Sequence, residues 1–391
     1  MTDSAPEQLV MRSHETGPPR APARSLSDFM YDLRDRLLTS PGMQRWLSRF
    51  PLTRGFARRK ERELFAIVTG FVSTQVLTAG CRLGLFNLLR AEGPLGIGDI
   101  ATRLKLEREP AARLVDAAVS LGLLSLRSGE RFGLGDLGTV IATTPAFNDI
   151  VAHNAIFYRD IADPVRILQG DLSDAVLARF WAYAHDANPA NLTPEAVADY
   201  TRFMAASQAL IAEETLNSYP LARHTALLDV GGGDGTFLVA AGRRYPHLAL
   251  SLFDLPAVCD VAREKIHAAG MAARTRIAPG SFHTDALPSG CDLAVLNRVL
   301  LDHDDATVLA LLRAVRAALP PGGHLLVAET LAGQPAGDAY FGFYLMTMGR
   351  GRPRSYAAMR ELLVAAAYTD VRQVPTARAT LTNLVLAVRP R

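Results

Sequence analysis

The stretch that decides the fold is Leu227-Leu228-Asp229-Val230-Gly231-Gly232-Gly233-Asp234-Gly235-Thr236, in which an apolar segment runs directly into a glycine-rich turn. A buried strand followed by a tight turn and a helix has this pattern. Glycine has no Cβ, so its backbone lets a ligand approach closely and adopts positive φ angles at little cost. The following helix would present its first amides to an anionic or polar ligand. The stretch therefore predicts a nucleotide-type cofactor site, although a plain strand-to-helix turn in an α/β domain also uses such glycines.

The next apolar segment, 248–253, supports the cofactor site. It ends at Asp254, about 20 residues beyond the turn, where nucleotide-binding sheets place an acid that accepts hydrogen bonds from ribose. No Gly-Lys-Ser/Thr follows the turn, and Thr236 stands where a hydride-transfer dinucleotide fold needs its third glycine. Strands and helices then alternate, which predicts an open, mostly parallel sheet with its ligand at the carboxyl ends of the strands. The predicted strands are 226–230, 249–253, 275–278, 291–297 and 324–329, with a terminal hairpin at 370–375 and 382–388.

Length and composition indicate a protein of more than one folded part. The chain has 391 residues, of which 49% are hydrophobic, and a formal net charge of +3, which is too small to argue for nucleic-acid binding. Its three cysteines, Cys81, Cys259 and Cys291, lie far apart and lack the paired spacing of a metal site, so we expect them to be reduced and no metal to be bound. We find no secretory signal and no apolar run of about 18 residues, and expect a cytoplasmic protein.

Four regions are predicted along the chain. Residues 1–25 carry four prolines among small polar residues and are expected to be a disordered leader. Residues 26–145 are expected to form a helical, winged-helix-like dimerisation domain, 146–220 a helical lid or linker, and 221–391 a Rossmann-like cofactor-binding domain.

The winged-helix prediction depends on three segments. Apolar residues at helical spacing over 63–89 predict a buried helix, 97–115 has helix-turn-helix spacing, and 125–134, with Gly129 at its turn, predicts a wing-like hairpin. The second helix of the pair offers one arginine, Arg113, to base edges, which favours dimerisation over DNA binding. A winged-helix regulator that senses a cofactor remains the non-enzyme alternative.

A basic segment precedes the long helix. Its cations follow apolar residues that include Trp46 and Phe50, a combination that can lie on an anionic membrane surface. A solvated helix face is the other interpretation, so peripheral contact with an inner or photosynthetic membrane is an expectation to be tested. The cations are Arg54, Arg58, Arg59, Lys60 and Arg62.

From about residue 60 to its end, the chain resembles the two-domain small-molecule O-methyltransferases, which include plant caffeate and flavonoid enzymes and bacterial polyketide enzymes. The glycine phrase resembles the first motif of class I S-adenosylmethionine-dependent methyltransferases. The resemblance implies a class I Rossmann-like catalytic domain after an all-α, winged-helix dimerisation domain, S-adenosyl-L-methionine as cofactor, and a homodimer. The matching phrases are 229–235, 253–256, 280–282, 296–305 and 321–329.

The same resemblance assigns the cofactor residues. Asp229 would lie near the methionine end, Gly231 and Gly233 would let the cofactor approach, and Asp254, with Leu255 beside it, would hold the ribose. Further along the chain, Ser281 and Phe282 would flank the adenine, and Asn297 would lie by the carboxylate of the cofactor. Plant members usually have aspartate at the position of Ser281, so this contact is expected to differ here.

Two phrases, 298–305 and 337–346, resemble more closely the hydroxyneurosporene or demethylspheroidene O-methyltransferases of purple phototrophic bacteria. Those enzymes methylate the tertiary 1-hydroxyl of acyclic carotenoids, so the resemblance implies a hydrophobic small-molecule substrate. Aromatic and methionine side chains can wall such a channel, although they can equally be core. Another bulky lipophile, an aromatic polyketide or a chlorophyll precursor methylated on oxygen or carbon, is the alternative. The candidate substrate residues are Tyr158, Tyr340, Phe343, Tyr344 and Met346.

The sequence leaves open which group is the base that takes the proton of the acceptor. In the plant enzymes a histidine does this, but the corresponding position here is Leu301, and His303 replaces an aromatic residue two positions later. Glu329 matches one of the two glutamates that flank that histidine, whereas Pro353 stands at the other. Three hypotheses remain open: His303 as a displaced base, His153 reaching in from the lid, or catalysis mainly by positioning.

Overall fold

The computed structural model describes residues 26–50, 53–180 and 207–391. The predicted leader at 1–25 and the middle of the predicted lid, 181–206, lie outside the described residues. The chain divides into two compact units, Met1–Thr74 and Gln75–Arg391. Each unit is described separately below.

The described part of the first unit is helical. Helix α1 spans Leu26–Thr39 and α2 spans Pro41–Arg49, where proline at the first helical position suits the fixed φ angle of that residue. Trp46 stacks on Phe50 with ring centroids 4.7 Å apart. Helix α1 leaves large apolar side chains in solvent, among them Phe29, Met30, Leu33 and Leu37.

The long helix α3, Arg54–Arg82, departs from the prediction in two ways. It begins earlier and stops before Gly84, whose φ of 72° breaks the helix. The prediction that its apolar face is buried is wrong for residues 64–72, whose apolar side chains are exposed. Helical periodicity indicates that an apolar face needs a packing partner, but it does not show that the same chain provides that partner. An 18-residue window of α3 has a mean hydropathy of 1.6, so by length and composition alone the helix could cross a membrane. The sequence-based expectation that no apolar run approaches this length is therefore corrected. The exposed apolar side chains are Leu64, Phe65, Ile67, Val68, Phe71 and Val72.

The second unit begins with small helices around a three-stranded sheet. Strands β2 and β3 form the predicted hairpin, with Gly129 at a φ of 71° in its turn, and β3 lies between β1 and β2 in an antiparallel sheet. Leu85, Ile100 and Val115 are fully buried between the helices and this sheet. The elements are α4 (Leu85–Glu92), β1 (Leu95–Gly96), α5 (Ile97–Leu104), α6 (Arg108–Ser120), β2 (Leu124–Arg127), β3 (Arg131–Leu134) and α7 (Asp136–Thr143).

The described part of 146–220 is mainly helical, as predicted. Its helices are α8 (Ala146–Asp160), α9 (Pro164–Leu168), α10 (Val176–Phe180) and α11 (207–218). The buried carboxylate of Asp160 accepts the backbone N–H groups of Val176 at 3.0 Å and Leu177 at 2.6 Å. This contact joins the end of α8 to the start of α10 and satisfies two of the amide groups that a helix leaves unpaired at its beginning.

A seven-stranded sheet forms the carboxyl-terminal part, and each predicted strand is present within a few residues. Its order is β6-β5-β4-β7-β8-β10-β9, with β4 to β8 parallel and β10 antiparallel to both β8 and β9. The order reverses at β4 and β7, which is where open α/β sheets bind ligands. The strands are β4 (Ala226–Val230), β5 (Ala249–Asp254), β6 (Thr275–Pro279), β7 (Leu293–Asn297), β8 (His324–Glu329), β9 (Thr369–Val374) and β10 (Asn383–Val388).

Both faces of this sheet are covered. Leu227 and Leu228, which point to opposite faces, are each almost fully buried in a different apolar cluster. A parallel sheet needs this double cover, and each buried leucine contributes about 1.5–3 kcal/mol. A π-helical segment, Ala336–Phe341, leads into α15. The helices are α12 (Thr236–Arg244), α13 (Pro256–Ala268), α14 (Asp305–Ala318), α15 (Gly342–Met348) and α16 (Tyr356–Ala365).

Candidate active site

The glycine turn lies at the carboxyl end of β4, and its glycines have different roles. Gly231 has a φ of 68°, and a Cβ atom there would lie 2.7 Å from Cγ2 of Val299, so this position requires glycine for the fold itself. Gly233 has a φ of 58°, but a Cβ atom there would meet no protein atom within 4 Å. Gly233 therefore borders open space, as expected of backbone that a cofactor approaches.

Asp254 ties the turn to the end of the neighbouring strand. Its two carboxylate oxygens accept the N–H of Gly233 at 2.8 Å and the N–H of Leu255 at 2.7 Å. Burial raises the pKa of Asp254 to about 6, although these two hydrogen bonds act in the opposite direction. Each carboxylate oxygen keeps a second lone pair, so the group can still accept hydrogen bonds from two hydroxyls of a ribose.

Asp229 and Asn297 are buried at the ends of the two central strands. Within the part of the chain that the structure describes, neither carboxylate oxygen of Asp229 has a hydrogen-bond partner, and the same holds for both polar atoms of the Asn297 amide. Burial, together with Asp254 and Asp234, raises the pKa of Asp229 to about 8. Buried polar atoms without partners are costly, and they are stabilised by a ligand that carries cationic and hydrogen-bonding groups. The carboxylate of Asp229 and the amide of Asn297 fit the charged and polar groups of the methionine part of S-adenosyl-L-methionine.

The predicted adenine side is formed by the loop after β6. The N–H of Ser281 donates to Asp285 at 2.7 Å, and the ring of Phe282 packs edge-on against His303 with centroids 5.3 Å apart. His283 also lies beside His303, at 5.9 Å between centroids. Burial, with His283 adding to it, lowers the pKa of His303 to about 4, and its Nδ1 atom has no partner among the described residues. His303 thus shares its surroundings with Phe282, the residue predicted to flank the adenine.

Glu329 supports the loop between β7 and α14. Its Oε1 atom accepts the N–H of Leu300 at 2.7 Å, while Oε2 is buried and has no partner in residues 26–50, 53–180 and 207–391. Burial, followed by repulsion from Asp302, raises the pKa of Glu329 to about 8. The raised pKa favours the protonated form of this residue near neutral pH, and a neutral carboxylic acid is a poor proton acceptor.

Arg354 is a site residue that sequence reasoning missed. It is 4% exposed and donates to the carbonyl oxygens of Leu300 at 2.7 Å and His303 at 2.6 Å, while it pairs with Asp305 at 2.8 Å. It follows Pro353, the residue at the position of the missing family glutamate. The loop at 300–303 is thus held by an arginine that lies about 50 residues away in sequence, and no local pattern reveals this contact.

A Glu329→Gln variant tests the neutral state of this group. Glutamine has the shape of the protonated acid and keeps an oxygen for the N–H of Leu300, so we expect turnover to fall by less than about fivefold at pH 7, which corresponds to about 1 kcal/mol. Glu329→Ala leaves that buried N–H unpaired and is expected to destabilise the fold by about 1–3 kcal/mol. Steady-state kinetics and thermal unfolding measure the two effects. A loss of 1,000-fold or more for Glu329→Gln in a protein that folds normally would contradict this account.

An aromatic cluster lies next to this loop. Nε2 of the buried His153, on α8, lies 2.7 Å from Oη of the buried Tyr344, on α15. One turn earlier, Tyr340 Oη donates to Asn154 Oδ1 at 2.8 Å. Leu301 belongs to the same cluster, so an apolar side chain occupies the position of the family histidine. The other buried members are Phe157, Leu177, Leu345 and Met348.

The other predicted substrate residues differ in their positions. Phe343 is partly buried at the edge of the cluster, and Tyr158 is partly buried on α8. Met346 is 38% exposed and lies outside the cluster, because the turn of α15 directs Leu345 and Met348 inward instead. Helical spacing within α15 therefore separates residues that the sequence phrase grouped together.

Arg298 brings a cation to the cluster. It directly follows Asn297 and adopts a φ of 55°, which is uncommon for a residue with a side chain. Its Nη1 atom donates to Ser207 Oγ at 2.8 Å, and its guanidinium carbon lies 6.0 Å from the ring centroid of Phe341. Burial first, and then the charge of Arg298, lowers the pKa of His153 to about 4, so the imidazole is neutral at pH 7. Among the described residues, no group of three or more potential ligands could hold a metal ion.

Comparisons with known proteins agree with this geometry. An O-methyltransferase domain family matches residues 158–369, and an O-methyltransferase dimerisation domain family matches 65–144. The chain is 41% identical to demethylspheroidene O-methyltransferase of Cereibacter sphaeroides, over 91% of this chain and 94% of that protein. It is 38% identical to the Rhodobacter capsulatus enzyme of the same name, over 90% and 88% of the two chains. The crystal structure of the S-adenosylmethionine-dependent methyltransferase SibL superposes with a TM-score of 0.72, covers 84% of this chain and 99% of that one, and is 28% identical.

The fold and the site define a class I methyltransferase with a helical dimerisation domain. The chain belongs to the S-adenosylmethionine-dependent O-methyltransferase family, and it is an enzyme of that class. Family membership removes the cofactor-sensing regulator as a rival function, and the matched dimerisation domain supports a homodimer.

Proposed function

We propose that this O-methyltransferase transfers a methyl group to the tertiary 1-hydroxyl of an acyclic hydroxy-carotenoid. One observation carries the choice of acceptor: the cluster beside the strand ends is built from aromatic and aliphatic side chains, and Leu301 stands where relatives with phenolic acceptors have a histidine. Such a wall suits a long polyene better than a charged acid. The similarity to the two demethylspheroidene enzymes over nine tenths of the chain supports the same acceptor class.

In this proposal the residues at the strand ends hold S-adenosyl-L-methionine. Asp254 and Leu255 bind the ribose, Asp229 and Asn297 bind the methionine part, and Gly233 gives the backbone room. When bound, the cofactor supplies an electrophilic methyl group on a positively charged sulfur. The high pKa of Asp229 means that a cationic group beside it should draw the carboxyl to its charged form, so binding should release a proton.

The adenine side completes the cofactor site. Ser281 and Phe282 flank the base, and the contact of His303 with Phe282 favours an adenine contact for this histidine as well. We therefore rank His303 below His153 as the group that takes the proton of the acceptor. Arg354 and Glu329 hold the backbone at Leu300 through hydrogen bonds, so that the loop facing the acceptor keeps one conformation.

Product identity tests the proposal. The purified protein is incubated with methyl-labelled S-adenosyl-L-methionine and a detergent-dispersed 1-hydroxy carotenoid, and the extracted pigment is analysed by chromatography and mass spectrometry. We expect the label in a methoxy carotenoid. An aromatic polyketide acceptor and a chlorophyll precursor are offered in parallel samples. If only one of these is labelled, that lipophile is the acceptor instead. A label retained on a carbon of the product would indicate C-methylation.

The dimer provides a prediction about α3. Exposed apolar side chains of this helix, including Ile67 and Phe71, fall inside the matched dimerisation domain, and a monomer would leave them in water. A double change, Ile67→Asp with Phe71→Asp, places two charges on one helix face and should convert the dimer to monomers. Light scattering after size exclusion measures the mass. Val165→Asp with Val364→Asp, which changes exposed positions outside that domain, is the matched control and should leave the dimer intact.

We also propose that the first unit contacts an anionic membrane surface. Residues 26–64 precede the matched dimerisation domain, and they combine exposed aromatic and aliphatic side chains with a run of exposed cations. Each basic residue near an anionic surface contributes about 1 kcal/mol, and the apolar groups add to this. An enzyme for a membrane-dissolved pigment would gain access to its substrate in this way.

Vesicle co-sedimentation tests the membrane contact. Binding should be strong to vesicles that contain phosphatidylglycerol and weak to pure phosphatidylcholine. Arg54→Glu with Arg58→Glu should weaken binding to the anionic vesicles by roughly 30-fold, since at least about 2 kcal/mol is lost. Arg313→Glu with Arg360→Glu makes the same change of charge on exposed positions of α14 and α16 and serves as the control. Equal binding to both kinds of vesicle would refute an electrostatic contact.

A further inference from the structure

His153 and Tyr344 are two buried, proton-carrying side chains that share a hydrogen bond beside the aromatic cluster, and the proposed cofactor site does not use them. The two residues are 6% and 4% exposed, and 191 positions separate them in sequence. Burying an imidazole and a phenol hydroxyl costs free energy unless they satisfy each other. A core that needed only packing would be served by phenylalanine and leucine, which make up most of the cluster.

The location of the pair connects it to the acceptor. Tyr344 packs in the cluster that contains Leu301, the residue at the position of the family base. The loop that carries Leu301 begins directly after Asn297, one of the residues proposed to bind the cofactor. An acceptor hydroxyl bound next to Leu301 would therefore lie at the cluster to which Tyr344 belongs.

We propose that Tyr344 and His153 form a relay that takes the proton of the acceptor hydroxyl, in place of the histidine that related enzymes carry at the position of Leu301. This inference rests on the proposed function. As the oxygen of the acceptor gains the methyl group, its proton passes to Tyr344 Oη, and the hydroxyl proton of Tyr344 passes to Nε2 of His153. The pair ends as a neutral tyrosine and an imidazolium, which later releases its proton to solvent. The positive charge that the methyl donor loses is thus carried away by the imidazolium, and no proton is left on the ether.

The weak basicity of the imidazole is compatible with this step. Among the described residues, Tyr344 acts on His153 through the hydrogen bond and Arg298 acts through its charge, and burial with Arg298 lowers the pKa of His153 to about 4. An alcohol cannot be deprotonated beforehand by such a base. A protonated ether, however, is a far stronger acid than an imidazolium, so a neutral imidazole accepts the proton as the new bond forms. Because its pKa is low, the imidazole of His153 stays unprotonated above about pH 5 and can accept the proton.

The neighbouring pair supplies a matched control. Tyr340 and Asn154 join the same two segments through a hydrogen bond of 2.8 Å, close to the 2.7 Å of the His153 pair, but an amide cannot take up a proton. Tyr344→Phe and His153→Gln remove the relay, whereas Asn154→Ala removes only the interhelical hydrogen bond to Tyr340. A structural role of the two bonds would give similar losses in all three variants.

The experiment combines kinetics with a spectroscopic measurement. With the 1-hydroxy carotenoid as acceptor, Tyr344→Phe and His153→Gln should lower kcat by about 100-fold, within the range for general acid–base catalysis, with KM changed by less than about threefold. Asn154→Ala should lower kcat by no more than about threefold. In the cofactor-free protein, nitrogen-15 NMR should show that Nε2 of His153 is unprotonated and accepts a hydrogen bond, and Tyr344→Phe but not Asn154→Ala should move that resonance.

Each outcome decides a different point. If the wild type transfers the methyl group and Tyr344→Phe keeps full activity, the relay is overturned and the proposed function stands. Equal losses in all three variants would show that the pair is only a structural contact. If Nε2 of His153 carries the ring hydrogen, it cannot accept the proton from Tyr344, and the proposed direction of proton transfer is ruled out. Absence of transfer by the wild-type protein would overturn the proposed function, and the relay with it.

Discussion

Asp254→Ala should weaken the binding of S-adenosyl-L-methionine by about 100-fold or more. The carboxylate of Asp254 holds the glycine turn through Gly233 and offers its remaining lone pairs to the ribose. Two charge-assisted hydrogen bonds of about 1.5 kcal/mol each account for about 3 kcal/mol, which is roughly 100-fold in affinity. Isothermal titration calorimetry of the cofactor and of its demethylated product measures the loss.

Two further variants separate binding from folding in that experiment. Asp254→Asn keeps one oxygen acceptor and the shape of the side chain, so its affinity should lie between those of the wild type and of Asp254→Ala. Asp260→Ala removes an exposed carboxylate from the helix that follows and should bind normally. If Asp254→Ala bound the cofactor within threefold of the wild type, the assignment of this residue to the ribose would fail.

Gly233→Ala should also weaken the binding of S-adenosyl-L-methionine, but for a steric reason. Its Cβ atom meets no protein atom within 4 Å, so the added methyl group enters the space next to the backbone where the cofactor should lie. Overpacking of that contact costs about 2 kcal/mol, or roughly 30-fold in binding. Calorimetry gives the affinity, and thermal unfolding gives the stability of the variant.

The hairpin of the dimerisation domain supplies the control for Gly233→Ala. Gly129 also has a positive φ, 71°, and open space around a Cβ atom, so Gly129→Ala adds the same backbone strain without touching the site. Both variants should lose about 1–2 kcal/mol of stability, but only Gly233→Ala should lose cofactor affinity. Equal affinities for the two variants would show that Gly233 does not face the cofactor.

The parallel sheet was predictable because local patterns specify it. The strands at 226–230 and 249–253 are short apolar runs bounded by turn residues, and such runs in alternation with helices leave few other arrangements. Gly233 and Asp254 follow from the same local pattern, since they occupy fixed offsets from the strand ends, whereas the role predicted for Asp229 came from the resemblance to the methyltransferase family. The structure brings these residues together at the point where the strand order reverses.

Other features depend on contacts that no local pattern contains. The apolar face of α3 was predicted to be buried, but helical periodicity cannot distinguish cover by this chain from cover by a second subunit. Arg354 reaches its carbonyl acceptors from about 50 residues away, and His153 meets Tyr344 across 191. A buried polar pair depends on tertiary packing, so its members looked like ordinary residues of two separate helices.

The replacement of the family histidine by Leu301 has a chemical consequence. Phenols lose a proton readily near neutral pH with a modest base, whereas a tertiary alcohol holds its proton until the new bond to carbon forms. A neutral, buried acceptor of low basicity is adequate for the second case. In the proposed function, the apolar surroundings of Leu301 would hold a long hydrocarbon in line with the reacting groups.

The most direct test of the account is the ratio of kcat/KM for a 1-hydroxy acyclic carotenoid to kcat/KM for an aromatic hydroxy acid, both measured with the same protein and labelled S-adenosyl-L-methionine. We expect a ratio above about 100, which corresponds to about 3 kcal/mol of discrimination in the transition state. A ratio below one, with normal binding of the cofactor, would show that the aromatic cluster is built for another acceptor and would contradict the proposed function.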